Sequence, residues 1–174
     1  MILASVGTQL PFDRLIKAVD GWALQRGRGD VVAQIGPSAY VPEAIEHFAF
    51  MDQGAFFALQ SRCKLMVSHA GMGSIITALE LGKPIIILAR DHQLNEHRNG
   101  HQLDTLRQFA RYPGIYAARD EAEVVALLDR ADTLTAAPTI EGTAPRDFVE
   151  KLADYIQEDE PRRSRGLLSF LRRR

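Results

Sequence analysis

Apolar runs of strand length alternating with amphipathic stretches of helix length predict an α/β protein built on a doubly wound, mostly parallel sheet. Two further observations support that class. The runs are continuously apolar, as in Ile85-Ile-Ile-Leu88, which suits strands covered on both faces. Between them the apolar residues change to helical spacing, as at Leu15, Val19, Trp22 and Ala23, so each helix has one face to bury.

Strands are expected at residues 2–6, 31–35, 48–51, 65–68, 85–88 and 115–117. Helices are expected at 12–26, 53–63, 74–81, 94–111, 121–130 and 146–158. The first strand ends in Gly7-Thr8-Gln9, and Pro11 and Phe12 open the helix after it. The fourth strand ends in a histidine, and a Gly-x-Gly-Ser turn leads into the next amphipathic stretch. Gly82 and Pro84 then punctuate before the apolar run at 85–88, completing a right-handed crossover unit. Val124, Leu127 and Leu128 mark the buried face of a later helix. Residues 133–145, rich in Thr, Ala, Pro and Gly, read as a loop before the last helix.

At 174 residues the chain fits one domain with a sizeable core, burying roughly 70% of its unfolded surface. Its 46% apolar and 25% charged residues are an ordinary globular balance. Six arginines fall in residues 161–174 with no acid, so a net charge of −1 conceals an acidic body of −7 over residues 1–160. The expected division is therefore a domain over 1–158 and a basic amphipathic or disordered tail over 159–174. No run approaches the roughly 18 apolar residues of a spanning helix, and Met1 to Val6 carries no leader-like basic region. The single Cys63 excludes an internal disulfide and fits a reducing compartment, so a cytoplasmic location is expected.

Ligands of open parallel sheets gather at the carboxyl ends of strands, near the point where strand order reverses. Two glycine turns fall at such ends, Gly7-Thr8-Gln9 and His69 to Ser74. Gly71 and Gly73 let backbone N–H groups approach an anion, Ser74 adds a hydroxyl, and the helix start adds partial positive charge. His69 stands where a ring N–H can donate to a phosphate oxygen. The plainer reading makes these packing glycines and Ser74 an ordinary N-cap. Ile76 occupies the third glycine of a Gly-x-Gly-x-x-Gly, which disfavours a nicotinamide or flavin dinucleotide, and no Gly-Lys-Ser/Thr is present. Past the fifth strand, residues 90–102 form a dense polar cluster that includes Glu96, His97, Asn99, His101 and Gln102. His97 and His101 are spaced as helical neighbours, but without a cysteine or clear third ligand no metal is expected.

Val67-Ser-His-Ala-Gly-Met-Gly-Ser-Ile75, Gly82-x-Pro84 and Glu96-His-Arg-Asn-x-His-Gln102 together resemble the C-terminal, donor-binding domain of family 28 glycosyltransferases of the GT-B fold. Within that family the chain is similar to the small subunits of split, two-component enzymes. One such subunit helps add the second N-acetylglucosamine to dolichol diphosphate. Bacterial exopolysaccharide and capsule subunits share Val6-Gly-Thr-Gln9 and Pro11-Phe12-Asp13 as well. The resemblance implies a single GT-B half carrying an inverting transfer from a UDP-sugar, with no cofactor, to a polyprenyl-diphosphate-linked saccharide. His69, Gly71, Gly73 and Ser74, with Gly7 and Thr8 of the first loop, would line the donor diphosphate. Glu96, His97, Asn99, His101 and Gln102 would lie near the donor sugar, with His69 and Glu96 in catalytic roles. An acidic residue that commonly holds the ribose is replaced here by Thr77.

The acceptor half would come from a membrane-anchored partner subunit supplying the general base. Leu167, Leu168, Phe170 and Leu171 between arginine groups suit contact of residues 162–174 with the inner face of the cell membrane, so a peripheral location is expected. The acidic body, without a basic stripe, argues against nucleic acid. A non-catalytic accessory subunit that activates a partner enzyme is the rival reading, and a UDP-sugar epimerase ranks third.

Overall fold

A computed structural model describes residues 1–94, 96 and 101–137. The chain divides into two units, Met1–Thr139 and Ile140–Arg174, and the fold described is that of the first. Six strands, β1 (Ile2–Ser5), β2 (Val31–Gln34), β3 (Glu46–Phe48), β4 (Leu65–His69), β5 (Ile85–Leu88) and β6 (Ile115–Ala118), form one sheet in the order β3-β2-β1-β4-β5-β6. Every neighbouring pair is parallel. Strand order reverses between β1 and β4, so the two glycine turns leave adjacent strands at the switch point.

The helices are α1 (Asp13–Arg26), α2 (Gln53–Arg62), α3 (Met72–Glu80), α4 (His101–Phe109) and α5 (Glu121–Leu128). Leu15, Ile16, Val19, Trp22 and Ala23 of α1 are buried in the main core with β1, β2 and the α5 residues Val124 and Leu128. The α1–α5 seam closes on Asp129, which accepts from Trp22 Nε1 at 2.9 Å and from both Nε and Nη2 of Arg26 at 2.9 Å. Residue by residue, Ser5 of β1 lies beside Gln34 of β2 and Ser68 of β4. All three are buried, so a short polar row crosses the three central strands near their carboxyl ends.

Three elements depart from expectation. The third strand is Glu46–Phe48 rather than 48–51, because Phe50 and Met51 lie beyond the end of β2, 57% and 41% exposed. The single helix expected over 94–111 is interrupted. A 3-10 turn at His92–Leu94 replaces the expected helix start, with the Asp91 carbonyl accepting from the N–H groups of Leu94 and Glu96 at 3.2 Å each, and α4 is described over His101–Phe109. Helix α3 starts two residues early, at Met72, because Gly71 takes the cap position. The helix expected at 146–158, the domain boundary at 158 and the basic tail lie outside the described residues. Among the described residues, no helix is long and apolar enough to cross a membrane.

Buried Asp20 ties the loop after β2 to α1. Its carboxylate accepts from Tyr40 Oη at 2.5 Å and from the N–H groups of Glu43 and Ala44 at 3.0 and 2.9 Å. Burial alone would raise its pKa, but the Tyr40 hydroxyl and the backbone donors outweigh it and hold the carboxyl below its ordinary value. A carboxylate depressed in the folded state contributes stability above the unfolded pKa, near 4, and loses it as pH falls through the lower folded value. Asp20→Asn should therefore cost about 1–3 kcal/mol at neutral pH. Urea unfolding from pH 7 down to 3 checks this, with the variant's deficit shrinking toward the acid end.

Candidate functional site

Two loops at the switch point build the site. The first, after β1, is gripped from below and behind. Gln34 clamps Gly7 with both ends of its amide, Oε1 accepting from Gly7 N–H at 3.1 Å and Nε2 donating to Gly7 O at 2.9 Å. The same Nε2 donates to Ala49 O at 3.0 Å. Gly7 sits at φ +77°, in the left-handed region that favours glycine. Arg90, only 3% exposed, supports the far end of the loop. Its guanidinium donates to the carbonyls of Val6 (2.6 Å), Leu10 (2.8 Å) and Pro11 (2.5 Å), and to Glu96 O at 3.2 Å, while lying 4.8 Å over the Phe12 ring. Burial pulls its pKa down to about 10, so the group stays charged at neutral pH and spends that charge on backbone oxygens.

The second loop carries His69 at the end of β4 and Gly71 as the cap of α3. The imidazole occupies a slot between the α-carbons of Gly7 and Gly71. A Cβ at Gly7 would stand 3.1 Å from His69 Cε1, and one at Gly71 would overlap the Nε2 edge, at 2.8 Å from Cδ2. Beneath the ring, fully buried Ser68 places its Oγ 3.3 Å from His69 Nδ1 and donates to Ser74 Oγ at 2.9 Å. Gly71 gives α3 no side-chain cap, so the first-turn N–H groups of Met72, Gly73 and Ser74 have no intrahelical acceptor.

A cleft of about 810 Å³ opens in front of that helix start. His69, Gly73, Ser74 and Thr77 line one wall, and Asp52, Gln53, Phe56, Phe57 and Gln60 of the α2 side line the other. A recess of about 250 Å³ adjoins it, lined by Gly7, Thr8 and Ser74 together with Gln34, Phe50, Met51 and Phe56. The cleft thus offers hydrogen-bond donors and positive helix-end potential on one side and aromatic surface on the other. That combination suits a ligand with an anionic middle and a flat apolar end.

His69, Gly71, Gly73, Ser74, Gly7, Thr8 and Thr77 are thus brought to one place. Glu96 and Gln102 are found elsewhere. The Glu96 carboxylate accepts from Arg14 Nε at 2.8 and 3.0 Å and from Asp91 N–H at 2.9 Å. It therefore braces the loop after β5 against α1, and Arg14 Nη2 adds a bond to Ala89 O at 2.6 Å. Gln102, buried, accepts from Arg90 N–H at 3.0 Å. His97 and Asn99 lie outside the described residues, and His101 is described only as the start of α4. Among the described residues, no three His, Cys, Asp or Glu side chains converge as metal ligands. Gln34, Ser68 and the aromatic wall of Phe50, Phe56 and Phe57 escaped the sequence reading. The dense phenylalanines between 48 and 57 were the available signal.

Residues 1–157 match the glycosyltransferase family 28 C-terminal domain. The human UDP-N-acetylglucosamine transferase subunit ALG13 is 32% identical over 107 residues, 56% of this chain and 9% of that protein. The subunit of the same name from Eremothecium gossypii is 35% identical over 95 residues, 54% of this chain and 42% of that one. The matched stretches thus span less than half of either relative. An NMR structure of ALG13 superposes with a TM-score of 0.59 at 18% identity, covering 87% of this chain and 93% of that one. The glycotransferase of kitacinnamycin superposes at 0.52 and 14% identity, covering 91% and 39%. At such identities the two structures establish the shared fold.

The slot around His69 makes a sharp prediction. Gly71 has φ −98°, ordinary for any residue, so Gly71→Ala incurs no backbone strain and its whole cost arises from the ring. The imidazole must leave its place, at an overpacking cost of about 1–3 kcal/mol. Ring resonances of His69 followed by NMR should shift by far more in Gly71→Ala than in Gly73→Ala, whose Cβ meets open space.

Proposed function

The chain belongs to the glycosyltransferase family 28 C-terminal domain family, and on that premise we propose that it is the donor-binding subunit of an inverting hexosyltransferase that uses a UDP-sugar. One observation carries the reading: the uncapped start of α3, flanked by His69 and Ser74, opens into the cleft, while the facing helix α2 is capped by its own Asp52. Backbone donors left over at a helix N-terminus are a ready anion site. The relatives' name as UDP-N-acetylglucosamine transferase subunits supports a uridine diphosphate donor. In this reading the diphosphate meets Met72, Gly73 and Ser74 N–H groups, the Ser74 hydroxyl and the His69 ring. Thr77 faces the ribose, and the apolar recess beside Gly7 and Thr8 receives the base.

Transfer needs stabilisation of the charge that develops on departing UDP, and preorganised donors in a cleft supply it without a metal or other cofactor. The acceptor hydroxyl needs a base. Glu96, committed to Arg14 and Asp91, braces the loop in this reading, and the base comes from a membrane-anchored partner subunit that also binds the acceptor. His97, Asn99, His101 and Gln102 belong to the segment assigned to the sugar side. A polyprenyl-diphosphate-linked saccharide as acceptor and exopolysaccharide as product are supported by the resemblance of Val6–Gln9 and of residues 96–102 to subunits of that kind, and a place at the inner face of the cell membrane by the apolar residues set between arginine groups in 162–174.

Calorimetric titration of the chain with UDP tests the reading. Binding is expected, and His69→Ala should weaken it about tenfold or more, the worth of one charge-assisted hydrogen bond. Full UDP affinity in His69→Ala would sink the role given to the ring. Failure of the wild-type chain to bind UDP even beside its partner would favour the accessory subunit that activates a partner enzyme.

A further inference from the structure

Gln60 of α2 is only 8% exposed, and it lines the cleft. Its backbone carbonyl accepts from Cys63 Sγ at 3.1 Å, but its side-chain amide has no hydrogen-bond partner among the described residues. None of their side-chain N or O atoms is both enclosed and unpaired, so the amide atoms keep an outlet to open space. The space that Gln60 lines is the cleft. An amide so deeply buried ordinarily finds a partner within the fold, and here a ligand's polar group can supply it.

The helical repeat places Gln60 on one face of α2 with Gln53, Phe56 and Phe57, and all four line the cleft. Across it, Thr77 follows Ser74 on α3 and stands about 4.5 Å further along the helix. An amide and a hydroxyl each donate and accept without charge. A phosphate oxygen only accepts, and it is better served at the open start of α3. A nucleobase edge also matches an amide, but neither Gln60 nor Thr77 lines the recess assigned to the base. A hydroxyl both donates and accepts, and a nucleotide carries its vicinal hydroxyls between base and diphosphate.

We propose that Gln60 is a specificity residue for the donor's ribose, its amide bonding a ring hydroxyl from the wall opposite Thr77; this rests on the UDP-sugar reading above. The bond selects donors that carry that hydroxyl. An analogue lacking it leaves the amide enclosed and unpaired, which costs affinity beyond the bond itself.

Calorimetric titration of the full chain with UDP, 2′-deoxy-UDP and 3′-deoxy-UDP tests this. Wild type should bind UDP about threefold to tenfold more tightly than at least one deoxy analogue. Gln60→Met, of similar volume and without a hydrogen-bonding end, should lose most of that preference. Its affinity for the same analogue should stay at or above that of wild type. Gln60→Leu serves in the same way if the methionine variant does not fold. A wild-type chain that binds all three alike overturns the proposal, and so does a Gln60→Met preference equal to that of wild type. Equal weakening of UDP and both analogues also overturns it, because the amide would then be packing the wall rather than reading the sugar. If wild type binds no UDP, the donor reading fails and the proposal falls with it.

Discussion

The imidazole of His69 sits where Gly71 must stay bare and Gly7 leaves no slack, and that steric condition shapes the carboxyl edge of the sheet at the switch point. Gly7 and Gly71 supply the bare walls on either side of His69. They come from loops 64 residues apart in sequence, brought together because β1 and β4 are neighbours at the reversal of strand order. Gly36, at φ +57°, adds a third contact, since a Cβ there would meet Gly7 O at 2.8 Å. The loops after β1, β2 and β4 therefore pack as one layer, and the ring's place depends on all three.

A layer of bare glycine loops has little side-chain packing of its own, so its rigidity comes from polar groups beneath and beside it. Gln34 holds Gly7 from below through a two-way amide bond. Arg90 holds the carbonyls of Val6, Leu10 and Pro11 from the β5 side, and Glu96 locks that loop to Arg14 of α1. The Phe12 ring is approached by both guanidinium groups, that of Arg14 at 4.9 Å and that of Arg90 at 4.8 Å. Each bond contributes on the order of 1 kcal/mol net, but leaving any of these buried groups unpaired costs more. The clamp is therefore sensitive to loss of single members.

The strand and helix pattern was legible because continuous apolar runs and helical spacing arise from burial on known faces. Where the reading erred, a tertiary interaction intervened. Phe50 and Met51 have strand-like character, yet they face the recess because β2 has already ended at the Gly36 turn. Helical spacing ran on through residues 94–111, but nothing in it announced that the Asp91 carbonyl would close a turn on Leu94 and Glu96. The place of the glycine turns and His69 was legible because a strand-to-helix turn at a carboxyl end carries such residues, and the structure gathers them at the switch point. The role of Glu96 was not, because its partner Arg14 is 82 residues distant. Ser5, Gln34 and Ser68 each interrupt an apolar strand near its carboxyl end, and only the register reveals that they form one row.

The two helices facing the cleft differ in how their N-termini are capped, and under the proposed function that contrast sets where an anion would be favoured. Both α2 and α3 direct an N-terminus at it, and each end carries roughly half a unit of positive charge. Asp52 caps α2, accepting from Gly54 N–H at 2.9 Å and Ala55 N–H at 3.2 Å, so those donors are consumed and a negative charge stands at the rim. At α3 the cap is Gly71, which consumes nothing and adds no charge. The field in the cleft is thus graded, attractive at Gly73 and Ser74 and repulsive at Asp52. Phe56 and Phe57 sit on the repulsive side, where they disfavour charge further but welcome a flat, uncharged group. A ligand that is anionic at one point and apolar at another therefore has one orientation available. The residue that enforces it most cheaply is a glycine, by leaving a helix end open.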